Sequence, residues 1–544
     1  MTRRLRDERV LAAAVALLVA TALTWPTMRH PRATVPGDLG DPTLQAWQVA
    51  WGGHALLTDP LGWWNSNTFY PATYTFAYSD TLLGYAPAGW IGSGPADAVL
   101  RYNLLYVGAY ALALLGAYAL TRQLGAGRVA AAVAGIGWAF APWRLAHSGH
   151  LNVLSIGGIA LCLAMLARGH GWSLRDGHRP ERHRPWWAFG GWLVAAWQIS
   201  LGFGVGLPLA YVLIGGCPAY GWFLWRRRPL DRRLLIADLA GGAVFALVCG
   251  LLGRLYLRVV ELNPQARRDL SWTEMFSPPL RGYLIPPADS WLWGDHFTEA
   301  REKLSWPPEM ALLPGVGLLV LGVLGLAYSV FRVHYRVLLG LGVLAGGALG
   351  LGSNLGADGD PGYLTLSRLL PGWDALRTPG RLMIWTSLCL AVLAAGLLST
   401  LAGRWRVVLA LPLALVLAEG VNRTPHPEVP VAPAAVRAAT EPLLVLPSDG
   451  LLELNIMLWS TDGFPRVANG LAGFVPADQE RIRRGTETFP DPASVALLRE
   501  AGIRSVVVLP DQLGGTPWAG IPDRPVDESI TREVVGDALV YRIS

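Results

Sequence analysis

The strongest constraint on this chain is an alternation. About eleven apolar stretches are separated by connections that are by turns arginine-rich and rich in carboxylates and aromatic residues. The stretches fall near 10–28, 99–120, 128–143, 151–168, 187–204, 205–225, 234–254, 311–331, 336–352, 381–402 and 405–420. Several approach the ~20 residues a helix needs to cross the hydrocarbon core, while 128–143 and 336–352 are short. The 187–225 region reads as two spans joined by the Gly-rich turn at Gly202–Gly206. Arginines gather at Arg3, Arg4, Arg6 and Arg9, at Arg122 and Arg128, and at Arg168, Arg175, Arg179, Arg182 and Arg184. They recur at Arg226, Arg227, Arg228, Arg232 and Arg233, at Arg332 and Arg336, and at Arg404 and Arg406. Each cluster occupies the N-terminus or an even-numbered connection. Positive residues stay cytoplasmic, so the alternation predicts an N-terminus inside and a C-terminal segment outside.

Composition agrees. The chain is 52% hydrophobic and only 15% charged, against about 25% charged in soluble domains. A net charge of +6 is a topology signal here, because the arginines are spread over the connections rather than gathered in one patch; nucleic acid is excluded as a partner. The first stretch reads as a membrane anchor rather than a cleaved signal: it is longer than a usual signal core, and Thr24-Trp25-Pro26 is a poor cleavage site. Cys162, Cys217, Cys249 and Cys389 all fall within predicted spans without CxxC spacing, as packing residues.

Three external segments, about 29–98, 255–310 and 353–380, exceed simple connections. The expected organisation is a transmembrane domain over 1–424 with a large first external loop at 29–98, and an extracytoplasmic α/β domain over 425–544. The tail opens with a linker at Pro425, Pro427, Pro430 and Pro433. Strands are expected at 443–446 and 505–509, helices at 477–484 and 492–501, and a final strand within 533–542. No internal repeat is visible.

In the first loop, Trp47 and Trp51 share a helix face suited to the membrane interface. Asp38 and Asp41 stand just before that helix, where they suit capping a helix that begins near Thr43. Their spacing also suits a divalent cation such as Mg or Mn, with Glu274 as a further oxygen ligand. Asp80, after Ser79, is placed either to contact substrate or to cap the helix that follows. Arg144, His147 and His150 lie in a short external turn, where they are candidates for phosphate or substrate contact. Arg377 and Arg381 flank a Thr-Pro-Gly turn at the start of a span, break the cytoplasmic arginine pattern, and have the forked donors that grip phosphate. Snorkelling anchors are the plainer alternative. Trp291 and Trp293 are either sugar-stacking or interfacial aromatics.

Several motifs carry a family resemblance. Gly40-Asp41 with Ala46-Trp47, Phe69-Tyr70-Pro71, Ala77-Tyr78-Ser79-Asp80, Phe140-Ala141-Pro142-Trp143-Arg144 through His150, and Arg377-Thr378-Pro379-Gly380-Arg381 are similar to segments of the GT-C superfamily of integral-membrane glycosyltransferases. In the tail, Asn469-Gly470 and Phe489-Pro490-Asp491 also look similar. The likeness is closer to a subgroup of bacterial membrane proteins related to that superfamily. It implies an α-helical polytopic GT-C-like fold in a bacterial cytoplasmic membrane and a polyprenyl-phosphate sugar donor. The implied reaction is inverting transfer to an envelope glycan, lipid or protein acceptor at the external face. By the resemblance, Asp41 takes the place of the essential acidic residue of the first loop, with Asp38 as helper. Arg144, His150, Arg377, Arg381, Ser79, Asp80 and Tyr70 become the substrate- and phosphate-contacting set. The alternative is a lipid or glycan transporter, or a non-catalytic envelope-assembly protein with the same fold. Spans almost free of ionisable residues argue against transport.

Overall fold

The structure, a computed structural model, describes residues 2–226, 231–401 and 403–543. Of the arginine clusters, Arg227 and Arg228 lie outside the described residues, as do the side chains of Arg3, Arg4, Arg6, Arg404 and Arg406. Among the described residues, six helices are long and apolar enough to cross a membrane: Gly94–Leu124, Leu151–Gly169, Phe203–Phe223, Arg232–Leu262, Val333–Gly350 and Pro379–Leu398. Shorter apolar helices accompany them at Arg128–Ala139, Val316–Ala327 and Val407–Gly420. The chain is a mostly helical, multi-pass membrane protein. The 187–225 region is two helices, Pro185–Ile199 and Phe203–Arg226.

Two compact units make up the chain. The first comprises Met1–Pro26, Leu105–Gly253 and Arg268–Thr424; the second comprises Thr27–Leu104, Arg254–Arg267 and Pro425–Ser544.

In the first unit, the arginine-bearing connections bond to one another. Glu8 accepts from Tyr118 Oη (2.9 Å), Arg122 Nε (2.9 Å) and Arg128 Nε (2.8 Å), joining the N-terminal segment to the second connection. Gln123 Nε2 donates to Trp172 O (3.0 Å) and Gly127 N to Ser399 Oγ (2.9 Å). His183 Nδ1 meets Asp231 Oδ2 at 3.0 Å, and Arg332 Nη2 donates to Asp176 O (2.6 Å). The remaining connections meet separately: Trp143 N donates to Leu313 O (3.0 Å) and Trp291 N to Val421 O (3.1 Å). Glu419 accepts from Val316 N (2.6 Å), Gly317 N (3.1 Å) and Trp293 Nε1 (3.0 Å). That carboxylate therefore covers the orphan amides at the start of helix Val316–Ala327. Trp293 is thereby tied by its indole N–H to the start of that helix.

The second unit holds a four-stranded sheet. Its strands are β1 (Leu443–Leu446), β2 (Ser505–Val508), β3 (Ile530–Val535) and β4 (Ala538–Ile543), in the order β1-β2-β4-β3. β1 and β2 are parallel, and the other pairings are antiparallel. Period-two alternation sends Leu444, Leu446, Val506, Val508, Tyr541 and Ile543 to one face, against helices Ala477–Gly485 and Pro492–Glu500. Leu443, Val445, Val507 and Val540 face the other way, onto Val436, Ile456 and Trp459. The expected final strand is in fact a hairpin turning at Gly536 (φ +62°). The polar run Thr531-Arg532-Glu533 hides it, because β3 is an exposed, charged edge strand.

Part of the 29–98 segment folds with this sheet. Val35 N donates to Pro427 O (3.2 Å) and Gly37 N to Pro425 O (2.9 Å), while Phe69 N donates to Asn469 O (3.0 Å) and Tyr70 N to Val467 O (3.0 Å). Helix Asp41–Thr58 packs on helix Leu452–Trp459.

Candidate functional site

In the second unit, the chain turns at Gly37 (φ +92°), a conformation that suits glycine. Asp38 is exposed; its Oδ1 accepts from Gly40 N (2.7 Å), closing the turn that leads into helix Asp41–Thr58. The N-cap is Gly40 and makes no side-chain cap bond. Asp38 therefore closes the entry turn rather than capping the first free amides of the helix. The helix begins two residues earlier than expected, and it is Thr43 Oγ1 that turns back, to Leu39 O (2.7 Å) and Gly40 O (2.8 Å). Asp41 is the first helical residue and is partly buried.

Trp47 and Trp51 are core residues rather than interfacial anchors. Trp47 Nε1 donates to Asn67 Oδ1 (3.1 Å) and Trp51 Nε1 to Trp63 O (3.0 Å), amid Phe69, Phe76 and Tyr78. Tyr70 packs against the sheet core with Arg466 lying 5.5 Å from its ring centroid, so it reads as a packing residue. Ser79 and Asp80 are partly buried. Asp80 does not cap the following 3-10 helix Leu83–Trp90, whose N-cap is Leu82.

The first unit gathers a buried ionic cluster. Arg381 stands at the entry to the long apolar helix Pro379–Leu398. Its Nε donates to Glu309 Oε2 (3.1 Å) and its Nη2 to Glu309 Oε1, a forked, bidentate pair. Gly380 permits this approach, since a Cβ there would stand 2.7 Å from Glu309 O. His147 Nε2 lies 3.9 Å from Glu309 Oε2, and the His147 and His150 rings are 5.5 Å apart. Burial raises the Glu309 carboxyl, but Arg381 and then His147 outweigh it and hold it down at about 2. Burial drives His147 to about 3, with Glu309 opposing, so this imidazole is neutral at physiological pH. Neither of its ring nitrogens has a hydrogen-bond partner. Arg381 and the partly exposed His150 are the more open members.

Arg144 has a different part. It is buried, its Nη2 donates to Leu154 O (2.7 Å), its Nη1 donates to Ala139 O, and its guanidinium lies 4.8 Å from the Tyr110 ring centroid. It clamps the ends of the flanking helices, and the phosphate-binding expectation for it is withdrawn. Arg377 lies 5.3 Å from the ring centroids of both Trp272 and Phe276. Glu274 is exposed and lines a separate cavity within this unit. No group of three or more His, Cys, Asp or Glu gathers as a metal site among the described residues. Glu309 went unseen in the sequence. The available signal was Arg381 itself: an arginine at the start of a long apolar helix calls for a carboxylate partner.

The sequence matches no protein-family model and no curated protein. Solved structures do match. One structure of the arabinofuranosyltransferase AftD from Mycobacteria superposes with a TM-score of 0.52 at 17% identity, covering 99% of this chain and 41% of that one. The oligosaccharyltransferase AglB from Archaeoglobus fulgidus, in complex with an inhibitory peptide and a dolichol-phosphate, gives 0.46 at 14%, covering 92% of this chain and 69% of that one. ArnT from Cupriavidus metallidurans, bound to undecaprenyl phosphate, gives 0.37 at 16%, covering 98% of each chain. Of these three, the AftD structure reaches a score that bears on the fold, and this chain spans about two fifths of it. The fold is similar to that of this membrane arabinofuranosyltransferase structure.

Proposed function

We propose that this chain is a membrane glycosyltransferase. It moves a sugar from a polyprenyl-phosphate-linked donor to an envelope glycan, lipid or protein acceptor at the external face of a bacterial cytoplasmic membrane. The N-terminus is inside and residues 425–544 are outside. What carries the reading is a guanidinium fixed where an apolar helix begins: Arg381, gripped by Glu309 with neutral His147 alongside. A lipid phosphate lies at that depth, and a pre-set guanidinium is a device for stabilising the charge that builds on it.

In the proposed reaction, the Asp41 carboxylate takes the proton of the acceptor hydroxyl as its oxygen attacks the sugar's anomeric carbon from the face opposite the phosphate. The bond from that carbon to the phosphate oxygen breaks, and its electron pair leaves with the polyprenyl phosphate. One displacement inverts the anomeric centre. Arg381, with His150 and Arg377 as further contacts, receives the phosphate; Glu309 is a positioning residue for Arg381. Asp38, Ser79 and Asp80 are proposed to orient the acceptor. A divalent cation, Mg or Mn, remains compatible with the carboxylate chemistry of Asp38 and Asp41 without being required by it.

The test compares lipid-linked sugars and envelope glycans in a deletion strain complemented with wild type, Asp41→Asn or Arg381→Ala. Loss of a general base costs about 10²–10⁴ in rate. Asp41→Asn is therefore expected to leave the glycan missing while its lipid-linked donor accumulates. Full restoration by Asp41→Asn overturns the assignment of the base; full restoration by both variants overturns the transferase reading.

A further inference from the structure

The first unit holds a cavity of about 520 Å³ between the short helices Leu270–Met275 and Tyr363–Leu369, with the turn Trp373–Ala375 beside them. Small-molecule sites commonly enclose about 300–1,000 Å³. Several of its polar lining groups are already satisfied. Arg268 Nη1 donates to Ala375 O (3.0 Å) and so ties the two walls together. Tyr363 Oη donates to Leu376 O (2.6 Å), and Ser367 Oγ to Leu364 O (2.8 Å).

Four others are not. Thr273 is 6% exposed, and its hydroxyl has no partner among the described residues. Trp373 is 4% exposed, and its indole Nε1 is buried without a hydrogen bond. Glu274 and Asp374 are exposed carboxylates with no ion pair or hydrogen bond among the described residues. Buried polar groups are ordinarily satisfied, so the orphaned Trp373 indole N–H, beside an unbonded Thr273 hydroxyl in the wall of one cavity, points to a partner that the protein does not itself supply.

We propose that this cavity binds a sugar ring of the acceptor glycan. The assignment deepens the transferase reading and rests on it for the word acceptor. A sugar offers hydroxyls that donate to Glu274 and Asp374, and oxygens that accept from the Trp373 indole and exchange bonds with Thr273. The lining carboxylates Asp269, Glu274 and Asp374 outnumber the one lining guanidinium, Arg268, so the cavity disfavours the donor's lipid phosphate and favours an uncharged or amino sugar.

The test uses the full chain in nanodiscs. One arm probes a printed array of neutral pentose, neutral hexose and amino-sugar oligosaccharides; the other measures binding of undecaprenyl phosphate. Wild type is expected to capture at least one oligosaccharide. The double variant Glu274→Gln, Asp374→Asn is expected to bind it about tenfold or more weakly, as the loss of a hydrogen bond to a charged group implies. Thr273→Val is expected to weaken it several-fold. Neither is expected to change undecaprenyl phosphate binding or the thermal unfolding midpoint. Undiminished sugar binding by the double variant, no capture by wild type, or loss of lipid phosphate instead of sugar each overturns the proposal. Sugar capture without any lipid phosphate binding by wild type leaves the cavity assignment standing and defeats the transferase reading.

Discussion

Glu309 in the first unit and Glu453 in the second are both removed from water, yet their carboxyls move in opposite directions. Glu453 accepts from Ser448 Oγ (2.6 Å), Asn469 Nδ2 (3.1 Å) and Gly470 N (2.5 Å), and burial still pushes it up to about 7. Glu309 meets a similar penalty but faces a forked guanidinium and lies at about 2. Neutral donors soften the cost of burying a charge, whereas a full opposite charge reverses it. One unit therefore keeps a permanent ion pair, while the other carries an acid that titrates near neutrality.

Arg381→Met should break the contrast outright. It leaves Glu309 buried without its counter-charge, at a cost of about 3–5 kcal/mol. The expected outcome is a large fall in the unfolding midpoint, together with a protonated-carboxyl infrared band at neutral pH that Glu309→Gln removes. An unchanged midpoint means that the pair does not hold this region together.

The pH dependence of the second unit comes next in size. Glu453's folded value lies above its ordinary 4.5, so its neutral form stabilises the fold. That stabilisation is complete below 4.5 and is lost as pH rises through about 7, amounting to about 3 kcal/mol at 1.36 kcal/mol per pH unit. Glu309 has the opposite sign: its contribution is present above 4.5 and lost as pH falls through about 2. Unfolding of wild type between pH 5 and 8 should reveal the first slope, and Glu453→Gln should flatten it. A slope that persists in Glu453→Gln assigns the titration elsewhere.

Ser448→Ala sharpens the comparison more gently. Removing one of three donors should cost about 1 kcal/mol and move the midpoint of that titration further upward. Smallest of all is Arg484→Ala. Its guanidinium meets Glu480 at 2.5 Å with 74% of its side chain exposed, so thermal unfolding should shift by no more than about 0.3–0.5 kcal/mol allows. The same kind of pair that matters at Glu309 is nearly silent in water.

The helices were legible where apolar runs were long, since a period of apolar residues needs no partner to be read. The strands at 443–446 and 505–508 were legible because burial on both faces writes them as unbroken aliphatic runs. Helix Leu452–Trp459 and the hairpin of β3 and β4 were not. The first is buried nearly all round and shows no stripe, and the second is an edge with mostly exposed positions. At the site, Arg381, His147 and His150 stood out by position. Their partner Glu309 did not, because it is 72 residues from Arg381 in the chain.

By itself, the sequence determined that this chain lives in a membrane and that most of its arginines gather in alternate connections. Those properties follow from local composition and the cost of burying charge in lipid. Only the tertiary structure decided which carboxylate meets which guanidinium, that Arg144 is a clamp, and that the first loop and the tail build one sheet-containing unit. These contacts depend on distance in space, where electrostatics at 3 Å is decided and to which spacing along a chain gives no access.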